Sequence, residues 1–447
     1  MNRVVITGVG PVTSIGCGVD SFWSAALQGK SNIQPIPDSW KSFHNFTSNI
    51  YSPLPVIDYT NFTISKVDQM QLDSSTLLAL AATDLALQNA QIERTLENEK
   101  KNIWHLQNVD SYRSGVFIGT GIGGISTLIN TQANHTLTPL KIRLGKNDLT
   151  KSESDSVVFQ KVPGRFNPFS VAMIMPNATS SAIGIKYNLK GVNSTSCYAC
   201  AAGTIAIGTA FQQIKNGVID FAIAGGTEYL GDPFGGVFRA FDLAKTLVSN
   251  FECIETANRP FDKKRSGFLF SEGGAAVLVL ESLEHALSRG ATIIAEISAF
   301  HETFDAYNCM SLDPSGSEIV RLHTELLKST AINPHEIQYI NAHGTGTILN
   351  DETESSVIEK LYGKRVYVNS TKSLIGHTLG ASGAIEAMVT ALSIKHKTTH
   401  ISKNCSDPVR NIAIVDKVES IDIQHAISQS FAFGGHNAAL LFKEYLD

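Results

Sequence analysis

The sequence predicts an α/β protein built from two similar halves, and three observations carry that expectation. Short apolar strands alternate with helix-length amphipathic stretches along the chain. Two strands end in matching glycine turns, GVFIGTG (Gly115 to Gly121) and QYINAHGTG (Gln338 to Gly346). Two helices open on matching runs of small residues, Ala201-Ala-Gly-Thr-Ile-Ala and Ala381-Ser-Gly-Ala-Ile-Glu. Such echoes point to two related α/β units packed together, with the divide expected between residues 1–288 and 289–447.

Composition sets the outer bounds. The chain has 447 residues, 43% of them hydrophobic, with only 17% charged and 35 glycines, a balance that suits a large core of tightly packed small-residue layers. A net charge of −5 argues against a general nucleic-acid binder. Six scattered cysteines are too few for a disulfide scaffold, and the chain opens directly into a strand and turn without the pattern of a secretory leader. No run approaches the ~18 apolar residues of a membrane span. A soluble, cytoplasmic protein is expected.

In chain order, Arg3 to Gly10 is expected as a buried strand, followed by a helix through Phe22, Trp23, Ala26 and Leu27 that stops at Gly29. Residues 32–62, rich in Pro, Ser and Asn, are expected as a surface excursion, and Ser74 to Asn89 as an amphipathic helix. Ser114 to Gly119 is a strand that empties into GTGIGG (Gly119 to Gly124). That string has the G-x-G-x-x-G form, but a dinucleotide site needs an acidic residue about 20 positions on, and none lies between Gly124 and Asp148. The glycines are therefore read as allowing close backbone packing. Residues 133–165 show little periodicity and are expected as a long loop or flap. Beyond them, strands are expected at Asp220 to Gly226, at the end of Arg259 to Glu281, and at Ile293 to Ala299, Ile337 to Ala342 and Val366 to Asn369. Helices are expected after Cys200, at Ser317 to Ser329 and within Ser370 to His396.

The stretch from Asn193 to Gly217 draws the chemistry together. Ile205, Ile207, Ala210, Phe211 and Ile214 are spaced as the core face of a helix, which puts Cys200 at its start. Unpaired N–H groups and the positive end of the helix dipole favour a thiolate there. Two other readings stand beside the nucleophile: a buried structural cysteine, and a redox pair formed by Cys197-Tyr-Ala-Cys200. His343 and His377 both sit in glycine-flanked turns after strands, from which their side chains can converge on one pocket. Lys372 lies in a stretch with no other Asp, Glu, Lys or Arg until Glu386, and a buried ammonium needs a partner.

Four segments in order now carry a resemblance: the Cys200 stretch, NAHGTGTILND (Asn341 to Asp351), STKSLIGHTLGASGAIEA (Ser370 to Ala387) and SQSFAFGGHNAALLF (Ser428 to Phe442). They resemble the β-ketoacyl-acyl-carrier-protein synthases over nearly the whole chain. The resemblance implies a thiolase-like fold, with pseudo-symmetric α/β halves layered αβαβα and usually paired as a homodimer or with a homologous subunit. It implies decarboxylative Claisen condensation of malonyl-carrier with a Cys200-bound acyl chain, in fatty-acid or polyketide-type biosynthesis. The partner is an acyl carrier protein bearing phosphopantetheine-linked acyl and malonyl groups; no cofactor and no metal are implied. By the same resemblance, His343 and His377 hydrogen-bond the malonyl thioester carbonyl. Asp351 and Glu354 match the acidic positions after the first histidine, and Glu354 is the expected partner of Lys372. Backbone N–H groups of Cys200 and Phe433 form the oxyanion site, within a flexible gate loop that includes Phe431, Phe433, Gly434 and Gly435. Thr345 and Thr347 hold the pantetheine arm, and Ile122 opposes Phe433 at the acyl pocket.

Several positions depart from the family pattern. Tyr198 stands where a small Thr is usual, Ala201-Ala202 replace a more polar pair, and Ala432 replaces the glycine between the two phenylalanines, which is expected to stiffen the gate. Ser266 replaces a common Asp, and Cys309 interrupts an Asp-Ala-Tyr-His segment. None removes a catalytic group. A non-catalytic chain-length partner would lack the cysteine, a thiolase would carry a second one near the C-terminus, and a zinc site lacks a second ligand pair. Carrier docking is expected on Arg239, Lys245, Lys263, Lys264 and Arg265.

Overall fold

A computed structural model describes residues 1–144 and 167–446. The first half contributes β1 (Val4–Thr13), α1 (Ser74–Asn89), β2 (Ser114–Gly119), α2 (Ile125–Leu144), β3 (Asn193–Ser196), α3 (Ala202–Lys215), β4 (Phe221–Tyr229) and β5 (Gly273–Ser282). The second contributes β6 (Ala295–Phe304), α4 (Ser317–Lys328), β7 (Tyr339–Asn341), α5 (Ile348–Tyr362), β8 (Tyr367–Asn369), α6 (Ser382–His396), β9 (His425–Ala432) and β10 (His436–Lys443).

The sheet order is β1-β5-β4-β2-β3 in the first half and β6-β10-β9-β7-β8 in the second, so each strand matches the one five places later. Pairing senses repeat as well: two antiparallel contacts and then two parallel ones, counted from the strand that opens each half. The opening strands meet antiparallel, with Val4 opposite Ile297. This is the internal repeat that the matching glycine turns foreshadow.

Helices fill the layers. On the outside, α1 covers β1, β4 and β5, while α4 covers β6 and β10. Between the two halves of the sheet lie α3, against β2 and β4, and α6, against β5 and β9. Every residue of α6 from Ser382 to Ile394 is buried, which its sequence permits because Glu386 is its only acidic or basic group before Lys395. The two central helices approach through small residues: a Cβ on Gly203 would lie 2.7 Å from the Ala384 nitrogen and 3.0 Å from the Ala384 Cβ.

Three expectations are corrected. The stretch taken for a loop from residue 133 continues α2 as far as Leu144; the rest of it, 145–165, lies outside the described residues. Residues 32–62 are more than a surface excursion, because Trp40 is 5% exposed and donates its indole N–H to the Asp232 carbonyl at 3.1 Å. The Thr47 and Ser48 amides also donate to the Asp242 carboxylate, at 2.9 and 2.8 Å. Finally, Phe431 and Ala432 belong to β9, paired opposite Asn437 and His436, so the presumed gate shrinks to a hairpin turn at 433–435. Among the described residues, no helix is long and apolar enough to cross a membrane.

The close helix contact gives a test. Gly203→Ala raises intrinsic helix propensity, yet overpacking against Ala384 is expected to lower unfolding stability by about 1–3 kcal/mol. Denaturant unfolding measures it; an unchanged midpoint would show that α3 and α6 part without cost.

Candidate active site

Cys200 lies in a single 3₁₀ turn, Ala199–Ala201, that runs directly into α3, so the helix start expected from the sequence is present. The thiol is buried at 4% exposure, whereas Cys197, one residue beyond β3, is exposed. A redox pair needs both cysteines exposed at one helix start, and the burial of Cys200 does not meet that requirement. Burial pushes the Cys200 thiol up to about 12, against the opposing pull of the Lys372 ammonium and of the Phe433 backbone N–H directed at the sulfur. Burial thus works against the thiolate that the helix start was expected to favour.

The two histidines converge on it. His377 Nε2 is 3.1 Å from Cys200 Sγ, the imidazole centroids of His343 and His377 are 5.5 Å apart at 84°, and ligand atoms of all three residues lie within 4.8 Å of one another. The Leu379 backbone N–H donates to His377 Nδ1 at 3.2 Å, and the Lys372 ammonium donates to His343 Nδ1 at 3.2 Å. A ring nitrogen that accepts is unprotonated, so each neutral imidazole carries its proton on Nε2. Burial holds both imidazoles well below the usual histidine range, and the Lys372 charge adds to the effect. One thiol and two imidazoles have the composition of a zinc site, but that ammonium opposes a second cation beside it.

Lys372 is 2% exposed and is paired with Glu386 from α6; it also donates to the His343 carbonyl at 2.7 Å. The expected pairing with Glu354 is wrong. Glu354 instead accepts the His343 and Gly344 N–H groups at 2.7 and 2.8 Å and the Gln429 amide at 2.6 Å. Asp351 accepts from Phe261 N at 2.6 Å and from Thr345 N at 3.1 Å, and also binds Gly346 N. Both carboxylates shape the turn that presents His343, and neither touches the reacting groups. Burial pushes Glu354 and Glu386 up to about 7.

A cavity of about 270 Å³ joins Cys200, His343 and His377 to Thr345, Thr347, Phe431, Ala432 and Phe433, and reaches the exposed side chains of Lys245, Met310 and Ile348. The Thr345 and Thr347 hydroxyls are 2.9 Å apart. Gly434 and Gly435 turn the hairpin at φ +89° and +83°, whereas Ala432 avoids the left-handed region, so an alanine there is unstrained. Gly434 N–H donates to the Cys309 carbonyl and Asp305 N–H to that of Gly435, at 2.9 and 2.8 Å, which ties the turn to the segment after β6. Ile122 is not among the cavity-lining residues; its side chain is 42% exposed and its N–H donates to Glu228 at 3.2 Å. Of the basic residues, Arg265 is 8% exposed and bound to the Thr347 and Ile348 carbonyls, so it leaves the surface patch, and Lys263 pairs with Asp407.

Sequence reasoning missed two supports. Glu228 accepts from the Gly121, Ile122 and Gly380 amides at 2.5, 3.2 and 3.1 Å, so the glycine string closes on a carboxylate of its own chain. An aromatic series also runs inward through Trp40, Phe238, Phe270, Phe241 and Phe268 to the His377 ring, with centroids 5.2–6.2 Å apart.

A fold of two repeated halves with the cysteine and both histidines at their junction defines a thiolase-like condensing enzyme. The chain belongs to the β-ketoacyl synthase family: the family's N-terminal domain matches residues 1–286 and its C-terminal domain residues 294–406. It is 35% identical to a 3-oxoacyl-[acyl-carrier-protein] synthase 2 of Staphylococcus aureus (strain N315), over 99% of this chain and 98% of that one. A Synechocystis protein of the same description is 34% identical with the same coverage. A β-ketoacyl synthase structure from Burkholderia phymatum STM815 superimposes with a TM-score of 0.82 at 30% identity, covering both chains fully. A type II polyketide ketosynthase, solved bound to a hexaketide and in complex with its acyl-carrier protein, gives the same TM-score at 27% identity, again with full coverage.

Two outcomes test the site. Lys372→Met and Glu386→Gln should be strongly non-additive in unfolding free energy, with Glu386→Gln alone costing about 3 kcal/mol, whereas Lys372→Met with Glu354→Gln should be close to additive. Alkylation of Cys200 by iodoacetamide should rise about tenfold per pH unit from 7 to 10, because a thiol pushed to about 12 is still far from fully ionised there. A plateau near pH 8.5 would place the thiol in its ordinary range.

Proposed function

We propose that this chain elongates carrier-bound acyl groups as a 3-oxoacyl-acyl-carrier-protein synthase, with Cys200 as the acylated residue and His343 and His377 as the decarboxylation pair. The observation that carries the assignment of roles is the placement of two neutral imidazoles, each with its Nε2 proton, beside a buried thiol on one cavity.

Loading comes first. The Cys200 sulfur attacks the carbonyl of an acyl-carrier thioester, the carrier thiol leaves, and the cysteine proton departs with it, so the products are acyl-Cys200 and free carrier thiol. The Phe433 N–H already points at the sulfur and, with the Cys200 N–H, serves the developing oxyanion. Malonyl-carrier then places its thioester carbonyl against the two Nε2–H donors. Loss of CO₂ leaves an enolate that these donors stabilise. The enolate carbon attacks acyl-Cys200, the carbon–sulfur bond breaks, and the departing sulfur takes up one proton to restore the thiol. Neutral imidazoles suit this task because they donate to a developing oxyanion without first losing a proton.

Thr345 and Thr347 line the route that the pantetheine arm would take, and Lys245 stands where the cavity meets the surface. With Arg239, Lys263 and Lys264 it makes up the basic set expected to dock the carrier. Six free cysteines support a reducing, cytoplasmic setting.

His343→Ala and His377→Ala should each lower malonyl-carrier decarboxylation by about 10²-fold or more, while acyl loading falls by less than about tenfold. Separate half-reaction assays, with the loaded peptide mapped to Cys200, check this. Normal decarboxylation in both variants would overturn the assigned roles.

A further inference from the structure

His377 Nδ1 has a second neighbour, the hydroxyl of Ser382, at 3.0 Å. Ser382 opens α6 and is 1% exposed. Ser382 stands one residue past the N-cap Ala381, and α6 has no side-chain cap, so this hydroxyl is not engaged in capping the helix. Its other partner is the Thr378 hydroxyl, also at 3.0 Å. The proton order that satisfies both contacts runs from Thr378 O–H to the Ser382 oxygen, and from Ser382 O–H to His377 Nδ1.

The internal repeat shows what packing alone requires at this position. In the matching runs, Ser382 corresponds to Ala202, which opens α3 and is fully buried. A methyl group is therefore sufficient for the helix contact, and the hydroxyl is additional. The other donor to Nδ1, the Leu379 amide, lies at 3.2 Å in a short turn where Leu379 is held at φ +46°, an angle that leucine rarely adopts. A donor rooted in a buried fifteen-residue helix is the firmer of the two.

We infer that Ser382 is a positioning residue for the condensation: its hydroxyl, backed by Thr378, donates to His377 Nδ1 and so holds the imidazole with its Nε2 proton aimed at the Cys200 sulfur and at the carbonyl that replaces it in the reaction. The inference rests on the role proposed above for His377. Without the hydroxyl, only the strained turn orients the ring, and a fraction of His377 can carry its proton on Nδ1 and turn an acceptor toward the cavity. A malonyl carbonyl then meets a lone pair in place of a donor.

The experiment uses the full chain, labelled with ¹⁵N-histidine, the His377 signals being identified by their loss in His377→Gln. Wild type should show an unprotonated, hydrogen-bonded Nδ1. In Ser382→Ala the Nδ1 resonance should shift away from the hydrogen-bonded position and the Nε2–H population should fall, while Ser382→Thr should restore both. In half-reactions, Ser382→Ala should lower kcat for malonyl-carrier decarboxylation about fivefold with KM unchanged, the scale of one neutral hydrogen bond, and leave the melting temperature within a few degrees of wild type. An unchanged His377 spectrum in Ser382→Ala, or a failure of Ser382→Thr to restore it, would overturn the inference. Normal decarboxylation in His377→Ala would overturn the role of the histidine instead, and the spectra would still decide what Ser382 does.

Discussion

The site depends on one buried cation. Lys372 sits at 2% exposure, is paired with Glu386, and donates to both the Nδ1 and the carbonyl of His343. An ammonium so enclosed is tolerable only while each of its protons is matched, so three parts of the chain must keep register around it: the turn after β7, the turn before α6 and the helix itself. The same charge acts at longer range. It adds to the burial that lowers both imidazoles and pulls against the burial of the Cys200 thiol, so all three side chains feel the same point charge.

The repeated architecture explains how these pieces arrive together. Each half delivers one of the two central helices, and each helix begins at a turn that carries chemistry, Cys200 before α3 and His377 before α6. Small residues at Gly203 and Ala384 let the helices approach closely, which draws the two turns within hydrogen-bonding distance. The third turn, with His343, is fastened from behind by Asp351 and Glu354 on α5. Nothing in this arrangement needs a long reach from any side chain; the backbone does the gathering.

Much of this was legible in the chain. The matching glycine turns pointed to two similar halves, which the repeated strand order bears out, and the four ordered segments carried Cys200, His343 and His377, which the fold brings together. What failed had physical causes. Glu354 was matched to Lys372 by its place after a histidine, but four amide groups around it claim its oxygens; the absence of any other carboxylate between Lys372 and Glu386 was the better signal. Phe431 and Ala432 were taken for part of a loop, yet they end a strand, and Ala432 keeps angles that any residue adopts. The polar stretch of residues 32–62 hid Trp40, whose burial depends on a carbonyl almost two hundred positions away.

The hairpin turn that presents the Phe433 amide has its own tether. Gly434 is bound to the Cys309 carbonyl, and Asp305 is joined twice to the far side of the turn, through Gly435 and through Asn437 at the start of β10. Met310, Ser311 and Leu312, the next residues along that tether, form part of the cavity wall. An acyl chain too bulky for the wall would push on the strap that sets the oxyanion donor. The protein would then discriminate among chains through the speed of bond formation more than through the strength of their binding, and a chain-length series would show it as a falling kcat at nearly constant KM.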